Sequence, residues 1–201
     1  MKCIAAPRRS KLYATRRSWS KVRKMKLYLA GPDVFLRDAT DVGRWKQAQC
    51  RALGHEGLYP LDNHLPKDAV AIFATNRALM DCADAGLFNL SPFRGPSADA
   101  GTIFELGYMA AQGKPLFGYS NERASYAERA ARTHGPTVEH DGVLHDRDGY
   151  MIERFAQSEN LMISKAIRAS GGLFVAMAES EEPKLASYRA FVTCLTAIGN
   201  I

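Results

Sequence analysis

The sequence predicts an α/β fold in which a single parallel sheet is covered by helices on both faces. Three observations carry this expectation. Short apolar runs alternate with stretches of helical character along the chain. The connections between them are short. A Gly, Pro or polar residue follows each of the early runs. Alternation of this kind is the signature of a parallel sheet in one domain, and the length of 201 residues suits one core of ordinary size.

Taken in order, Leu27-Tyr28-Leu29-Ala30 reads as the first strand, closed by the turn Gly31-Pro32-Asp33. Residues 41–53 have helical character and stop at Gly54. Leu58-Tyr59-Pro60-Leu61 reads as a second strand, followed by Asp62-Asn63. A helix is expected near 66–82, with apolar residues at Val70, Phe73, Ala74, Leu79 and Met80. Residues 85–90 form a third strand. A Pro/Gly-rich loop from Ser91 then runs through Asp99 into a helix from 102 to about 112, ended by Gly113. Pro115–Tyr119 is a fourth strand. Residues 121–150 are polar, with turn pairs at Gly135-Pro136, Asp141-Gly142 and Asp148-Gly149, and read as an irregular, mobile or partner-facing excursion. Residues 151–169 look helical, 173–177 form a fifth strand, and 184–198 a closing helix. The whole is a flavodoxin- or Rossmann-like arrangement, whose ligands sit at the carboxyl ends of the strands.

Composition narrows the function. Hydrophobic residues make up 46% and charged residues 24% of the chain, values of a globular protein. No apolar run reaches the roughly 18 residues that span a bilayer, so no membrane partner is expected. The formal charge of +6 comes from one end. Residues 1–24 hold nine Lys/Arg and no Asp or Glu, leaving 18 basic against 21 acidic residues in 25–201. A mildly acidic body argues against a nucleic-acid partner. The basic segment admits three readings: a transit peptide, an arm for an anionic partner, or an extension upstream of a start at Met25. The last is favoured because Met25 opens directly into the first strand. It implies a disordered extension (1–24), a folded domain (25–201) and a cytoplasmic protein, with organelle targeting left open. Cys3, Cys50, Cys82 and Cys194 are widely spaced, with no CxxC and no His/Cys ligand pattern. Free thiols and no metal are expected.

The loop from Ser91 into the following helix carries the chemistry. Gly101 and Thr102 are turn and N-cap types, which places Glu105 in the first turn, where the helix dipole favours a carboxylate. Asp99 precedes Glu105 by six residues. Two carboxylates at a loop–helix junction suit glycosyl transfer, one attacking a sugar carbon while the other handles a proton. Capping and dipole partnership are the structural alternative.

Five stretches then resemble the nucleoside 2-deoxyribosyltransferase family, in that family's order: Tyr28-Leu-Ala-Gly-Pro-x-Val-Phe35, Pro60-Leu-Asp62-Asn63, Ser91-Pro-Phe-Arg-Gly95, Asp99-x-Gly101-Thr-x-Phe-Glu105-x-Gly107, and Asn160-Leu-Met162. The resemblance spans about residues 26–163 and departs from the family at the basic extension and at 121–158. It implies that Glu105 is the nucleophile at C1′ of a 2′-deoxynucleoside and that Asp99 protonates or orients the leaving base. Asp99 would need a carboxyl group that holds a proton near neutral pH. Tyr28 would position Glu105, although a core aromatic at a strand end is its structural alternative. Phe35 either stacks on the base or fills core. Asp62 and Asn63 hold a sugar hydroxyl or order the cleft loop, and Asn76 falls where many relatives have a base contact. Gly101 belongs to the binding turn, and Arg94 either binds phosphate or pins the loop. Asn160 and Met162 would reach the deoxyribose in a neighbouring subunit, which implies a homo-oligomer with shared sites. Their alternative is an ordinary helical Asn with a core Met.

The expected substrates are deoxynucleosides and free nucleobases, with no cofactor. One rival is an N-glycosidic hydrolase of deoxynucleosides or nucleoside 5′-monophosphates. Its monophosphate-cleaving members tend to have Ser where Asp99 stands. Another is a non-catalytic nucleotide-binding module, against which Tyr28, Asp99 and Glu105 argue together.

Overall fold

A computed structural model describes residues 24–60, 68–178 and 188–198. The basic segment 1–23 and the pair Asp62 and Asn63 lie outside the described residues. In chain order the elements are β1 (Lys26–Ala30), a 3-10 turn (Pro32–Phe35), α1 (Ala39–Ala52), β2 (Glu56–Leu58), α2 (Ala69–Cys82), β3 (Ala85–Asn89), α3 (Ala100–Ala111), β4 (Leu116–Ser120), α4 (Tyr126–His134), β5 (Val138–His140), β6 (Val143–His145), α5 (Leu161–Ala169), β7 (Phe174–Ala176) and α6 (Tyr188–Ile198).

The central sheet has the order β2-β1-β3-β4-β7, and every pairing in it is parallel. Alternate side chains of β1 serve opposite cores. Leu27 and Leu29 pack with Cys50 of α1 and with Phe191, Cys194 and Leu195 of α6. Tyr28 and Ala30 pack with Met80 of α2, Leu106 and Met109 of α3, and Ile163 and Ile167 of α5. Helices therefore cover both faces, as expected. The chain order reverses between β1 and β3, and that reversal opens a crevice at the carboxyl ends of these two strands.

Several boundaries differ from the sequence expectation. The second strand ends at Leu58, because its partner register is Lys26–Tyr28 against Glu56–Leu58, and Pro60 has no N–H to extend the ladder. Helix α2 begins at Ala69, capped by the Asp68 carboxylate on the Val70 and Ala71 N–H groups. Its apolar residues are mostly not core: Val70 is 74% and Phe73 51% exposed, while Met80 is buried. The 121–150 excursion is ordered secondary structure. Ser125 and Glu128 form a reciprocal capping box that starts α4. The β5–β6 hairpin turns on Asp141 and Gly142, both at positive φ. The helix expected over 151–169 starts only at Leu161. Met151 bridges to His145, and Ala156 sits at φ 50, so neither continues a helix.

A buried charged cluster ties the strand ends together. Asp33, just after β1, is fully buried and accepts from Lys46 of α1, from the Tyr59 hydroxyl at 3.2 Å and from Asn89 Nδ2 at 2.8 Å. Lys46 also donates to the Tyr119 hydroxyl at 2.8 Å. Burial pulls the Lys46 ammonium below its ordinary range, and Asp33 pulls it back up. Gly31 makes this geometry possible: a Cβ there would lie 2.4 Å from Asn89 Cβ and 2.6 Å from Asp33 Oδ1. No described helix is long and apolar enough to cross a membrane.

Replacing Lys46 by Met should cost about 3–5 kcal/mol, because Asp33 then keeps a buried charge without its cation. The measurement is the urea midpoint at unchanged m-value. Adding Asp33→Asn to Lys46→Met should restore part of the loss; an unchanged midpoint in the single variant would refute the role of the pair.

Candidate active site

Four side chains from three elements meet beside the β1–β3 reversal: Tyr28 from β1, Asn76 from α2, and Asp99 and Glu105 at the head and in the body of α3. Tyr28 is fully buried, and its hydroxyl donates to Glu105 Oε1 at 2.6 Å. Asn76 Nδ2 donates to the same oxygen at 3.4 Å, while Asn76 Oδ1 is buried with no hydrogen-bond partner. That oxygen is a buried acceptor without a donor among the described residues.

The local cap differs from the expected one. Asp99 itself is the N-cap of α3, and its Oδ2 accepts from the Thr102 N–H at 3.0 Å and the Thr102 hydroxyl at 3.2 Å. The helix begins at Ala100, so Glu105 lies in the second turn, not the first. The dipole effect fades beyond the first turn, and burial sets the chemistry of Glu105 instead. Burial raises its carboxyl from 4.5 to about 7; the negative field of Asp99 adds to this, while the Tyr28 and Asn76 hydrogen bonds oppose it. Tyr28 is driven far above the ordinary phenol range, first by burial and then by Glu105. The phenol therefore keeps its proton and acts as a donor.

Gly101 is exposed on α3, and a Cβ at that position would sit 3.1 Å from Asp99 Oδ2. Glycine thus leaves the capping carboxylate uncrowded. Phe35 is 58% exposed and is not core. It stacks on Phe93 with ring centroids 5.3 Å apart, and the Arg94 guanidinium lies over both rings. Asn160 is the N-cap of α5: its Oδ1 accepts from the Met162 N–H at 3.0 Å, and its Nδ2 donates to Glu153 at 3.2 Å. Met162 is 71% exposed, so it does not fill this subunit's core. Among the described residues no group of His, Cys, Asp or Glu is arranged to hold a metal ion.

Sequence reasoning brought Tyr28, Asp99 and Glu105 to one place and gave Asn76 little weight. It missed Asp33 and Lys46 altogether. The signal for Lys46 was present: Ala39, Val42, Gly43, Lys46 and Cys50 are the buried residues of α1, and a lysine on that helical stripe implies a buried anion. Arg129 and Glu159, described below, carry no comparable local signal.

Comparison with known proteins places the chain in one family. The sequence model of nucleoside 2-deoxyribosyltransferase matches residues 27–162. An uncharacterized protein of Schizosaccharomyces pombe is 35% identical over 171 residues, covering 75% of this chain and 80% of the yeast protein. Among solved structures, the 2-deoxyribosyltransferase of Leishmania mexicana is 30% identical with a TM-score of 0.61, covering 85% of this chain and 98% of that one. A protein from Enterococcus faecalis V583 shares the fold at 17% identity, with a TM-score of 0.52 over 87% of this chain and 99% of its own.

The raised Glu105 carboxyl has a consequence for stability. The folded state holds this proton more tightly than the unfolded chain, so its contribution is fully present below 4.5 and is lost as pH rises through about 7. Glu105→Gln removes that loss. Urea unfolding at pH 5 and pH 8 should show a smaller pH-dependent drop in the variant than in the parent. Equal drops would contradict the raised carboxyl.

Proposed function

This chain belongs to the nucleoside 2-deoxyribosyltransferase family, and from that premise we propose that it moves 2-deoxyribose between nucleobases by double displacement at C1′. The observation that carries the reading is the Tyr28–Glu105 hydrogen bond of 2.6 Å, on the helix that Asp99 caps. In the first step a Glu105 carboxylate oxygen bonds to C1′ as the C1′–N bond breaks. The leaving base takes its proton from Asp99, whose two intrahelical hydrogen bonds fall on Oδ2 alone. Tyr28 holds Glu105 in place and restrains its charge until the oxocarbenium-like transition state develops beside it. In the second step the ring nitrogen of another base attacks C1′ as the ester bond breaks, its N–H proton passes to Asp99, and Glu105 returns as carboxylate. Two inversions give net retention of configuration.

The unpartnered Asn76 Oδ1 suits a sugar hydroxyl or a base N–H, and the Phe35–Phe93 stack offers an apolar wall to the base. Hydrolysis is the second reading: water in place of the acceptor base would complete the same cycle. Asp99 stands where the monophosphate-cleaving members tend to have Ser, and this favours transfer over that hydrolysis. Such an activity belongs to nucleoside salvage, with deoxynucleosides and free nucleobases as substrates.

Incubation with deoxyinosine and adenine should yield deoxyadenosine and hypoxanthine, and deoxyinosine alone should separate hydrolysis from transfer. Glu105→Ala should lower transfer by ~10³-fold or more, as expected for loss of a covalent nucleophile. A folded Glu105→Ala protein with near-parental transfer would refute the assignment.

We also propose that Asn160 and Met162 complete a neighbouring subunit's site, in a homo-oligomer with shared sites. The exposure of Met162 supports this. Glu105→Ala and Asn160→Ala subunits, each far weaker than parent alone, should then rescue one another when co-expressed, because symmetric interfaces donate reciprocally. If verified mixed oligomers show only the average of the two, the sites are not shared.

A further inference from the structure

The segment that delivers Asp99 is fastened from outside the sheet by one buried ion pair. Arg129 lies on α4 and is 3% exposed; Glu159 is 0% exposed and directly precedes Asn160. Arg129 Nη2 and Glu159 Oε2 meet at 2.8 Å. The rest of the guanidinium is spent on backbone carbonyls. Nε donates to Pro96 at 2.7 Å, and Nη1 to Ala124 at 2.7 Å and Ser158 at 2.8 Å. Glu159 is equally engaged. Its Oε1 accepts from the Ser97 hydroxyl at 2.7 Å and the Asn160 N–H at 3.0 Å, and its Oε2 from the Ala98 N–H at 3.2 Å. Two side chains thus join three segments far apart in sequence: 96–98, 124–129 and 158–160.

Stability alone is a weak reason for such a pair, since apolar replacements of buried ion pairs often match or exceed them. What an Arg–carboxylate fork supplies is direction: planar donors at fixed angles to named acceptors. The directions here end one residue from two residues of the site. Asp99 follows Ala98, and Asn160 follows Glu159.

We propose that Arg129 and Glu159 are positioning residues, forming one clamp that sets both the placement of Asp99 at the head of α3 and that of Asn160 at the head of α5. The proposal rests on the roles given above to Asp99 and Asn160. With shared sites, the clamp links the acid a subunit uses to the asparagine it lends, so one disturbance damages two sites.

The test compares parent, Glu159→Gln and Ser97→Ala. The first keeps the shape and removes the charge. The second removes one contact on the Asp99 side and keeps the ion pair, so it folds even where the first does not. Two readouts are taken: steady-state transfer from deoxyinosine to adenine, and amide hydrogen exchange by mass spectrometry. Ser97→Ala should lower kcat by about 3–10-fold with KM within about twofold of parent, because only the Asp99 side loosens. Glu159→Gln should lower kcat by about 100-fold and also raise KM, since a misplacement near 1 Å has effects of that order. In Glu159→Gln, peptides covering 91–99 and 153–162 should lose protection together while those of β1 and β3 keep it; in Ser97→Ala the loss should centre on 91–99. Parental kcat and KM per folded molecule in both variants would overturn the proposal, as would loss of protection spread over the sheet. If the parent itself transfers no deoxyribose, the functional reading fails on its own, and exchange still decides the clamp: joint loss at the two segments supports it, and independent behaviour overturns it.

Discussion

Burial lifts the Glu105 carboxyl to about 7, and the Tyr28 phenol 2.6 Å away opposes that rise. This balance is the constraint that the surrounding structure serves. A nucleophilic carboxylate in water is well solvated and unreactive; withdrawn from water without a donor, it would stay protonated. The site lies between these limits. It needs a phenol donor that reaches the buried carboxyl, which requires a core position. Tyr28 has one because β1 is the strand beside the chain reversal, with helices on both faces. Asp99 adds negative field from the head of the same helix.

Positions of this kind must survive thermal motion, and the segments that join the strand ends to the site are loops. The protein fastens those loops with buried charge. Asp33 and Lys46 bind together the ends of β1, β2, β3 and β4 through Tyr59, Asn89 and Tyr119. Arg129 and Glu159 do the same for the segment after β3 and for the start of α5. In both clusters the charged atoms spend their hydrogen bonds on several partners at once, which is the condition for a buried ion pair to be tolerated. The excursion that supplies Arg129 is therefore part of the apparatus around the site, although its sequence is polar and looks irregular.

Much of the site was legible without coordinates because its residues sit on short-range patterns. Asp99, Gly101 and Glu105 share one loop–helix junction, and Tyr28 lies within one short apolar strand. The detail of that junction was not legible. Both Asp99 and Thr102 are capping types, and which one caps depends on where the loop places the first helical turn. Asn76 illustrates the other limit. Nothing within α2 distinguishes it from an ordinary exposed asparagine, and its meaning comes from Glu105, 29 residues away. The apolar stripe of α2 misled in the opposite sense: Val70 and Phe73 satisfy helical periodicity yet face outward.

By itself, the sequence determined the α/β class, the parallel sheet, the two carboxylates and their tyrosine, because apolar period, turn residues and motif order are local properties that folding does not erase. The tertiary structure decided everything that depends on which distant segments meet. It made Asp99 the cap, moved Glu105 out of the first turn and raised its carboxyl through burial. It paired Lys46 with Asp33 and Arg129 with Glu159, and turned the polar excursion into a helix and hairpin tied to the site. Burial and ion pairing are sums over neighbours from the whole chain, and no window of residues contains those neighbours until the sheet has brought its strand ends together.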